Sequence, residues 1–234
     1  MKLKTLGIIG GMSPESTVSY YQCINREINA RLGGNHSADI VMHSLEFEPI
    51  VRMQRAGDWA QAGEVLAQSA RRLESVGAQA LVLATNTMHK VADTVQNAVG
   101  IPLLHIVDAV ADVLRIEGLH TAALLGTRFT MCDGFYTDRL RLRGVHALVP
   151  DAAQQDEIDR VIFEELCRNR LTAEARAFFQ GVIAGLQAKG AQAVIFGCTE
   201  IGLLLQPEEC PLPVFDSARI HALAAVTFIL EGYV

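Results

Sequence analysis

The chain has 234 residues, of which half are hydrophobic and a fifth are charged. This composition predicts a soluble globular protein with one or two cores, and it excludes disorder, collagen and coiled coil. The formal net charge is -6, and acidic and basic residues are mixed along the chain. Because this pattern provides no basic stripe, nucleic acid is not an expected partner.

The apolar run near the N-terminus is interrupted by Gly7, Gly10 and Gly11. It is too short and too broken for a signal peptide or a membrane span, so we expect a cytoplasmic protein with no membrane partner. The cysteines are odd in number and widely spaced, and they lack the spacing of zinc ligands. The sequence therefore predicts neither a disulfide scaffold nor a structural metal. The five are Cys23, Cys132, Cys167, Cys198 and Cys210.

Short apolar runs rich in β-branched residues alternate with longer stretches of helical period, which predicts an α/β fold with mainly parallel sheets. Ser13 followed by Pro14 predicts a helix start, and Gly33 with Gly34 predicts its end. In chain order the predicted strands are Thr5–Ile9, Asp39–His43, Ala80–Leu83, Leu103–Ile106, Thr121–Leu125, Val145–Leu148, Ala193–Phe196 and Val214–Phe215.

The sequence repeats itself in three places, in the same order. The run Gly-Ala-Gln-Ala at Gly77 recurs at Gly190 with an offset of 113 residues, and the segment 6–10 resembles 122–126 with an offset of 116. The segment 101–108 also resembles 210–216. These matches predict two pseudo-symmetric lobes, each a mainly parallel sheet flanked by helices.

Ligands of open parallel sheets bind at the carboxyl ends of the strands, so the loops after the repeated strands define the candidate site, in a cleft between the lobes. Apolar residues at helical spacing follow Thr85-Asn86-Thr87, and the loop at Cys198 is predicted to lead into a helix as well. A helix N-terminus can hold a carboxylate or lower a thiol pKa. The four loops are 11–13, 85–87, 127–128 and 198–200.

Cys198 is the best catalytic candidate, because it follows a buried strand and its repeat partner, Thr85, is also polar. A thiolate could form there at neutral pH, starting from a reference pKa of about 8.5. The other four cysteines are interpreted as small core residues. His89, His105 and His221 could orient a base, although a lone histidine is more often structural. Motifs for a Ser-His-Asp triad and for nucleotide binding are absent.

These loops resemble those of the aspartate/glutamate racemase superfamily, specifically its aspartate racemase branch. The run from Gly10 to Thr17 is similar to the opening loop of that family, and Gln54 with 57–59 is similar to its second segment. The run from Gly197 to Glu200 is similar to its second catalytic loop. The resemblance covers essentially the whole chain. It implies a cofactor-independent enzyme with two pseudo-symmetric lobes, commonly a homodimer. It also implies that the C-terminal helix returns to the first lobe, so we expect 1–108 with 217–234 to form the first lobe and 109–216 the second.

Two cysteines normally flank the substrate Cα in this family, the first in a Cys-Asn-Thr motif that here is Thr85-Asn86-Thr87. By resemblance, Cys198 is the base toward the L amino acid and Thr85 is the proton donor on the opposite face. An alcohol is a weaker acid than a thiol and a poor base unless a neighbour activates it. Asn86, Thr87 and Thr199 are expected to hold the α-carboxylate and Glu200 the amino group, while Met12 and Gln54 match positions that line the substrate.

The leading hypothesis is therefore a cofactor-independent amino-acid racemase acting on aspartate, glutamate or a wider set. Single-cysteine relatives in the same superfamily decarboxylate malonates, and a non-catalytic amino-acid-binding protein is the third hypothesis. An acidic substrate needs a cation for its distal carboxylate, for which Arg52, Arg55 and Arg128 are candidates. The neutral Gln54 favours a broader set.

Overall fold

The computed structural model describes residues 2–231 and confirms the predicted α/β fold with parallel sheets. The strands are β1 (Leu6–Gly10), β2 (Ile40–Ser44), β3 (Ala80–Leu83), β4 (Thr121–Gly126), β5 (His146–Leu148), β6 (Ala193–Gly197) and β7 (Val214–Asp216). The helices are α1 (Pro14–Leu32), α2 (Phe47–Ala56), α3 (Trp59–Ser75), α4 (Ala92–Gln96), α5 (Ile106–Ile116), α6 (Arg128–Cys132), α7 (Phe135–Leu142), α8 (Ala152–Glu164), α9 (Ala173–Ala188), α10 (Ile201–Leu204) and α11 (Ser217–Leu230). Short 3₁₀ turns lie at Thr87–Val91, Leu166–Arg168 and Pro207–Glu209.

The chain divides into two compact units, each built on its own parallel sheet. The first unit runs to Ile106 and resumes at His221, and its strands lie in the order β2-β1-β3. The second unit spans Val107–Ile220, with the order β5-β4-β6-β7. The strands β1, β3 and β6 are buried along their whole length, as parallel strands covered by helices on both faces are. The domain bounds inferred from the sequence remain a prediction.

The two sheets share a strand order and a pairing register. β1 lies between β2 and β3 in the first unit, and β4 lies between β5 and β6 in the second. Leu6 pairs with Ala80 and Ala122 pairs with Ala193, so the pairing reproduces the sequence offsets of 116 and 113 residues. The internal similarity of the sequence therefore corresponds to a repeated structural unit.

The repeated Gly-Ala-Gln-Ala run has a scaffold role. Gln79 accepts a hydrogen bond on Oε1 from the backbone N–H of Thr5 at 2.9 Å, and Gln192 accepts one from the first residue of β4 at 3.0 Å. Gly77 and Gly190 precede them with φ values of 99° and 101°, which favour glycine. Each run thus ends a helix and fastens the next strand to the centre of its sheet.

Two sequence-based expectations about secondary structure were wrong. The predicted strand 103–106 forms only a single parallel bridge between Leu103 and Leu81, because Pro102 has no N–H to donate and Ile106 already begins α5. The helix expected directly after Thr85-Asn86-Thr87 is a 3₁₀ turn at Thr87–Val91, and the short α4 begins only at Ala92. The predicted start of α1 is confirmed, with Ser13 as its side-chain cap and Gly33 at its end.

Within the part of the chain that the structure describes, no helix is long and apolar enough to cross a membrane.

Candidate functional site

Cys198 lies directly after β6, at the carboxyl end of the central pair of strands in the second unit. Gly126 and Gly197 end this pair opposite each other. A Cβ on either would come within 3.0 Å of a backbone carbonyl of the neighbouring strand. The strand ends therefore approach closely only because both residues are glycine. This close packing fixes the backbone that carries Cys198.

The thiol of Cys198 is paired with a carboxylate two residues further along. Sγ donates a hydrogen bond to Oε2 of Glu200 at 2.9 Å, and the hydroxyl of Thr199 donates to the same oxygen at 2.8 Å. Cys198 and Glu200 are both 9% exposed, so the pair is largely shielded from water. The family resemblance implies that Glu200 binds the substrate amino group, whereas its contact with Cys198 does not follow from the sequence.

The expectation of a Cys198 thiolate at neutral pH was wrong. Burial raises the pKa of the Cys198 thiol well above its ordinary value, and the negative charge of Glu200 raises it further. The helix that should have lowered the pKa, α10, has only four residues and supplies little macrodipole. The resting side chain is therefore a thiol with a proton acceptor already in contact.

Thr85 lies just after β3, in the first unit, at the position that the repeat matches to Cys198. It is half-buried, and the hydrogen bonds that it makes within residues 2–231 use its backbone: N–H donates to Leu83 at 2.8 Å, and C=O accepts from Nδ1 of His89 at 2.8 Å. The next two residues, Asn86 and Thr87, are buried. Asn86 occupies the N-cap position of the 3₁₀ turn, and its side chain makes no capping hydrogen bond there.

Met12 and Gln54, matched to substrate-lining positions by resemblance, are buried in the first unit. Gln54 lies in the last turn of α2 and donates from Nε2 to Sδ of Met88 at 3.0 Å. Met12 and Met88 belong to the same apolar cluster. The structure thus links Gln54 to the turn that follows Thr85.

The loop that carries Met12 is shaped by Gly11, which has a φ of 86°. Its N–H donates to Oγ1 of Thr17 at 2.8 Å, and a Cβ at this position would lie 2.1 Å from the carbonyl oxygen of Leu45. Only glycine fits so close to the chain that leaves β2. This close contact with Leu45 explains why the opening loop has glycine at position 11.

The three arginines considered for an acidic substrate are exposed. Arg52 pairs with Glu48 at 3.2 Å on the surface of α2, and Arg128 pairs with Asp156. Arg55 lies beside Gln54 in sequence but is exposed where Gln54 is buried. Of the residues on α2 considered for the substrate side chain, the buried one is the neutral Gln54.

Two side chains that the sequence does not link to the loop of Thr85 hydrogen-bond to its backbone. Ser16 of α1 donates from Oγ to the carbonyl oxygen of Ala84 at 3.1 Å. His89 contacts the neighbouring carbonyl of Thr85. The sequence spacing does indicate the contact of His89, because His89 follows Thr85 by four residues in the same turn.

A search of the described residues finds no group of three or more His, Cys, Asp or Glu side chains that could hold a metal ion.

Comparison with known proteins places the chain in a family. The Asp/Glu/Hydantoin racemase family matches residues 9–225. The broad specificity amino-acid racemase RacX of Bacillus subtilis (strain 168) is 24% identical over 226 residues, covering 96% of this chain and 98% of that protein.

Solved structures match over nearly the whole chain. A protein of Yersinia pestis described as an Asp/Glu racemase is 45% identical, with a TM-score of 0.93 and coverage of 97% of this chain and 100% of the other. The aspartate racemase homologue PH1733 of Pyrococcus horikoshii OT3 is 33% identical, with a TM-score of 0.84 and coverage of 97% and 99%.

The decarboxylase considered as an alternative is a more distant neighbour. A mutant of arylmalonate decarboxylase is 14% identical, with a TM-score of 0.55 and coverage of 98% of this chain and 94% of the other. This likeness shows a common fold alone. Because the racemase family matches from β1 into α11 and the solved racemase relatives agree along the whole chain, the chain belongs to the Asp/Glu/Hydantoin racemase family.

Proposed function

We propose that this protein, an isomerase by its family, interconverts L and D amino acids without a cofactor, with Cys198 and Thr85 serving opposite faces of Cα. The observation that carries the proposal is the buried hydrogen bond from the Cys198 thiol to Glu200. It supplies a proton acceptor for the sulfur that must remove the Cα proton. Family membership and the relatedness to RacX support the reaction class.

In the L-to-D direction, Glu200 accepts the thiol proton while the sulfur of Cys198 takes the proton from Cα. The carbanion then receives a proton from the Thr85 hydroxyl on the other face. Solvent returns a proton to the threonine oxygen, and Glu200 releases the former thiol proton to solvent, which restores both side chains. Every proton removed from carbon is therefore replaced. The D-to-L reaction runs the same steps in reverse, with Thr85 as the base.

Cys198 is better equipped than Thr85 for this chemistry. The thiol has a carboxylate at 2.9 Å, whereas the hydrogen bonds of Thr85 within the described residues use its backbone. A hydroxyl is a poor base without an activating neighbour, so the step at Thr85 is the slower one. In this proposal the two positions of the repeat therefore contribute unequally to catalysis.

The substrate α-carboxylate is held, in this proposal, by backbone N–H groups of both loops with Asn86, Thr87 and Thr199. Developing charge on the carbanion is stabilised by the same donors. Glu200 serves the amino group in addition to its contact with Cys198. Met12 and Gln54 line the substrate side chain.

A neutral substrate side chain, or a broad range of side chains, suits this lining better than an acidic one. Gln54 is buried beside Met88, whereas Arg52 and Arg55 on the same helix are exposed. RacX, by its name, is a broad specificity racemase. We therefore propose that the accepted set extends beyond aspartate and glutamate.

Enantiomer formation from the common L-amino acids, followed by chiral chromatography, tests this function. The assay is run with metal chelator and without added pyridoxal phosphate, and activity is expected under these conditions. Activity that requires either a metal or pyridoxal phosphate would overturn the cofactor-independent mechanism. Failure of every amino acid to racemise would overturn the proposed function.

Two other activities are separated by the same preparation. Carbon dioxide release from arylmalonate would indicate the decarboxylase, whose solved relative shares the fold. Ligand binding without any exchange of the Cα proton into heavy water would indicate a non-catalytic amino-acid-binding protein. Retention of the Asn86-Thr87 pair after the change to Thr85 favours the racemase, because these residues belong to the proposed amino-acid clamp.

We also propose that the protein works in the cytoplasm as a homodimer. None of the five cysteines, which all lie within residues 2–231, forms a disulfide, and this fits a reducing compartment. Val18 and Tyr21 of α1 and Met42 of the edge strand β2 are exposed apolar side chains that could pack against a second copy. Sedimentation equilibrium tests the dimer, and a monomer at assay concentration would contradict it.

A further inference from the structure

Three histidines and a tyrosine form a buried polar cluster in the first unit. His89, His105 and His221 are 3%, 9% and 0% exposed. The ring of His89 lies edge-on to both others, with centroids 4.6 Å from His105 and 5.5 Å from His221. The hydroxyl of Tyr20 lies 2.9 Å from Nδ1 of His221. His89 is the member of this cluster that reaches the loop of Thr85.

The partners of His89 determine where its proton lies. The backbone N–H of Ile106 can only donate, so Nε2 of His89 at 3.2 Å is the acceptor and carries no proton. Nδ1 must then carry the proton of the neutral ring, and it donates to the carbonyl of Thr85 at 2.8 Å. Burial and the two neighbouring histidines lower the pKa of His89 well below its ordinary value, which keeps the ring neutral.

The same loop is held at a second point. Oγ of Ser16 donates to the carbonyl of Ala84 at 3.1 Å, one residue before the carbonyl that His89 holds. The N–H of Ala84 donates to Ile9 in β1 at 2.9 Å. Two consecutive peptide carbonyls after β3 are therefore fixed by buried side chains. This leaves the backbone of Thr85 little freedom to rotate.

We propose that His89 is a positioning residue for Thr85, acting as a neutral ring that bridges the Thr85 carbonyl and the N-terminus of α5. This inference rests on the proposed function, in which the Thr85 hydroxyl exchanges a proton with Cα. His89 does not act on that hydroxyl, because its Nδ1 is engaged by the backbone carbonyl and its Nε2 by Ile106.

Positioning has a large effect where the reacting group is intrinsically weak. A threonine hydroxyl reaches the substrate carbon only from the orientation that its backbone sets, and a misplacement of about 1 Å can cost roughly a hundredfold in rate. If the Thr85 peptide rotated, the hydroxyl would swing with it. The hydrogen bond to His89 opposes that rotation.

A pair of substitutions at one position separates the two contacts of the ring. In His89→Asn the side-chain amide can occupy the place of Nδ1 and still donate to Thr85, while the contact with Ile106 is lost. In His89→Gln the amide oxygen can reach the place of Nε2 and accept from Ile106, while the donor to Thr85 is lost. Both variants lose the ring and its packing.

We expect His89→Gln to lower kcat by about tenfold or more with KM changed by less than about threefold, because binding groups are untouched and geometry is lost. His89→Asn should retain most of kcat. A merely structural histidine would instead give equal losses of kcat in the two variants, and that result would overturn the proposal. Thermal unfolding of both variants checks that the comparison is made on folded protein.

A measurement on the unmodified protein decides the matter if neither variant folds. Nitrogen NMR of the histidine rings, near neutral pH, should show one buried neutral ring protonated at Nδ1, with its resonance assigned from the slow exchange of its proton and its contact with Ile106. A His89 ring protonated at Nε2, or charged, would overturn the inference.

Failure of the proposed function and failure of the positioning role of His89 give different experimental results. Absence of racemisation by the parent protein refutes the proposed function while the NMR result still stands. A fast Thr85→Ala variant refutes the role of Thr85. Active parent and slow Thr85→Ala, combined with an unimpaired His89→Gln, refute the positioning role alone.

Discussion

The Cys198 thiol donates to Oε2 of Glu200 across 2.9 Å, and both side chains are buried at the carboxyl end of β6. The carboxylate is thus both the acceptor for the thiol proton and the charge that opposes a free thiolate. Loss of the Glu200 charge should therefore raise the chemical reactivity of the Cys198 thiol and lower the turnover of the enzyme.

Glu200→Gln should raise the reactivity of Cys198 toward iodoacetamide and lower turnover. Removing the negative charge lowers the thiol pKa, so more thiolate is present at about pH 8. Removing the acceptor slows proton transfer by about a hundredfold or more. Peptide mass mapping measures alkylation of Cys198 separately from the other cysteines. Glu174→Gln, which changes an exposed carboxylate of the same unit, is the control, and a Glu200→Gln variant with parental turnover would contradict the assignment.

Cys198→Ser should abolish turnover while leaving folding and substrate binding largely intact. General acid–base groups typically contribute about 10²- to 10⁴-fold, and a hydroxyl is a much weaker acid than a thiol. Cys210→Ser, at a half-buried cysteine of the same unit, should keep parental activity. Retention of more than about a tenth of the activity by Cys198→Ser would refute Cys198 as the base.

Racemisation in heavy water should be asymmetric. Enantiomers have equal free energy, so kcat/KM must be the same in both directions, however slow the proton transfer at Thr85 is. If Cys198 removes the L proton readily and Thr85 returns one slowly, recovered L substrate gains deuterium before much D product forms, provided that the thiol proton exchanges with solvent meanwhile. Recovered D substrate should carry little.

The matched variants at this position are Thr85→Cys and Thr85→Ala. Thr85→Cys should raise turnover by supplying a second thiol, and Thr85→Ala should be slower than the parent. Equal deuterium in recovered L and D substrate, together with an unimpaired Thr85→Ala, would show that another residue serves the second face.

Stability should fall in mild acid. Burial lowers the pKa of His221 from 6.5 to about 4, so between these values the unfolded chain binds a proton that the folded chain does not. Folding free energy is therefore lost as the pH falls, by about 2 kcal/mol at about pH 5 from this group. Denaturant unfolding across this range measures the loss. His221→Gln should show a shallower pH dependence, whereas the exposed His146→Gln should keep the parental one.

Gly11→Ala should destabilise the protein more than Gly57→Ala. Both glycines have positive φ values, of 86° and 70°, so each substitution incurs backbone strain of about 1–2 kcal/mol. A Cβ at Gly11 would also collide with the carbonyl oxygen of Leu45, whereas at Gly57 nothing lies within 4 Å. Thermal unfolding of the two variants gives the difference, and equal midpoints would refute the steric role of Gly11.

The sequence determined most of the fold because strand and repeat signals are local. The run at 80–83 is a strand with the predicted bounds, and the offset that relates Thr85 to Cys198 recurs in the pairing of β1 with β3 and of β4 with β6. The chain also carries the family resemblance in the runs 10–17 and 197–200, and the family match confirms that resemblance. Such features are written in contiguous residues.

Tertiary structure alone decided the electrostatics and the contacts of the loops. The pKa of Cys198 depends on burial and on which way Glu200 turns, and neither follows from residue spacing. His89 links Thr85 to Ile106, which lies 17 residues after His89 in the sequence. This link forms only because β3, the 3₁₀ turn and α5 pack together. Local patterns predict elements, whereas desolvation and hydrogen-bond partners depend on what the complete fold brings into contact.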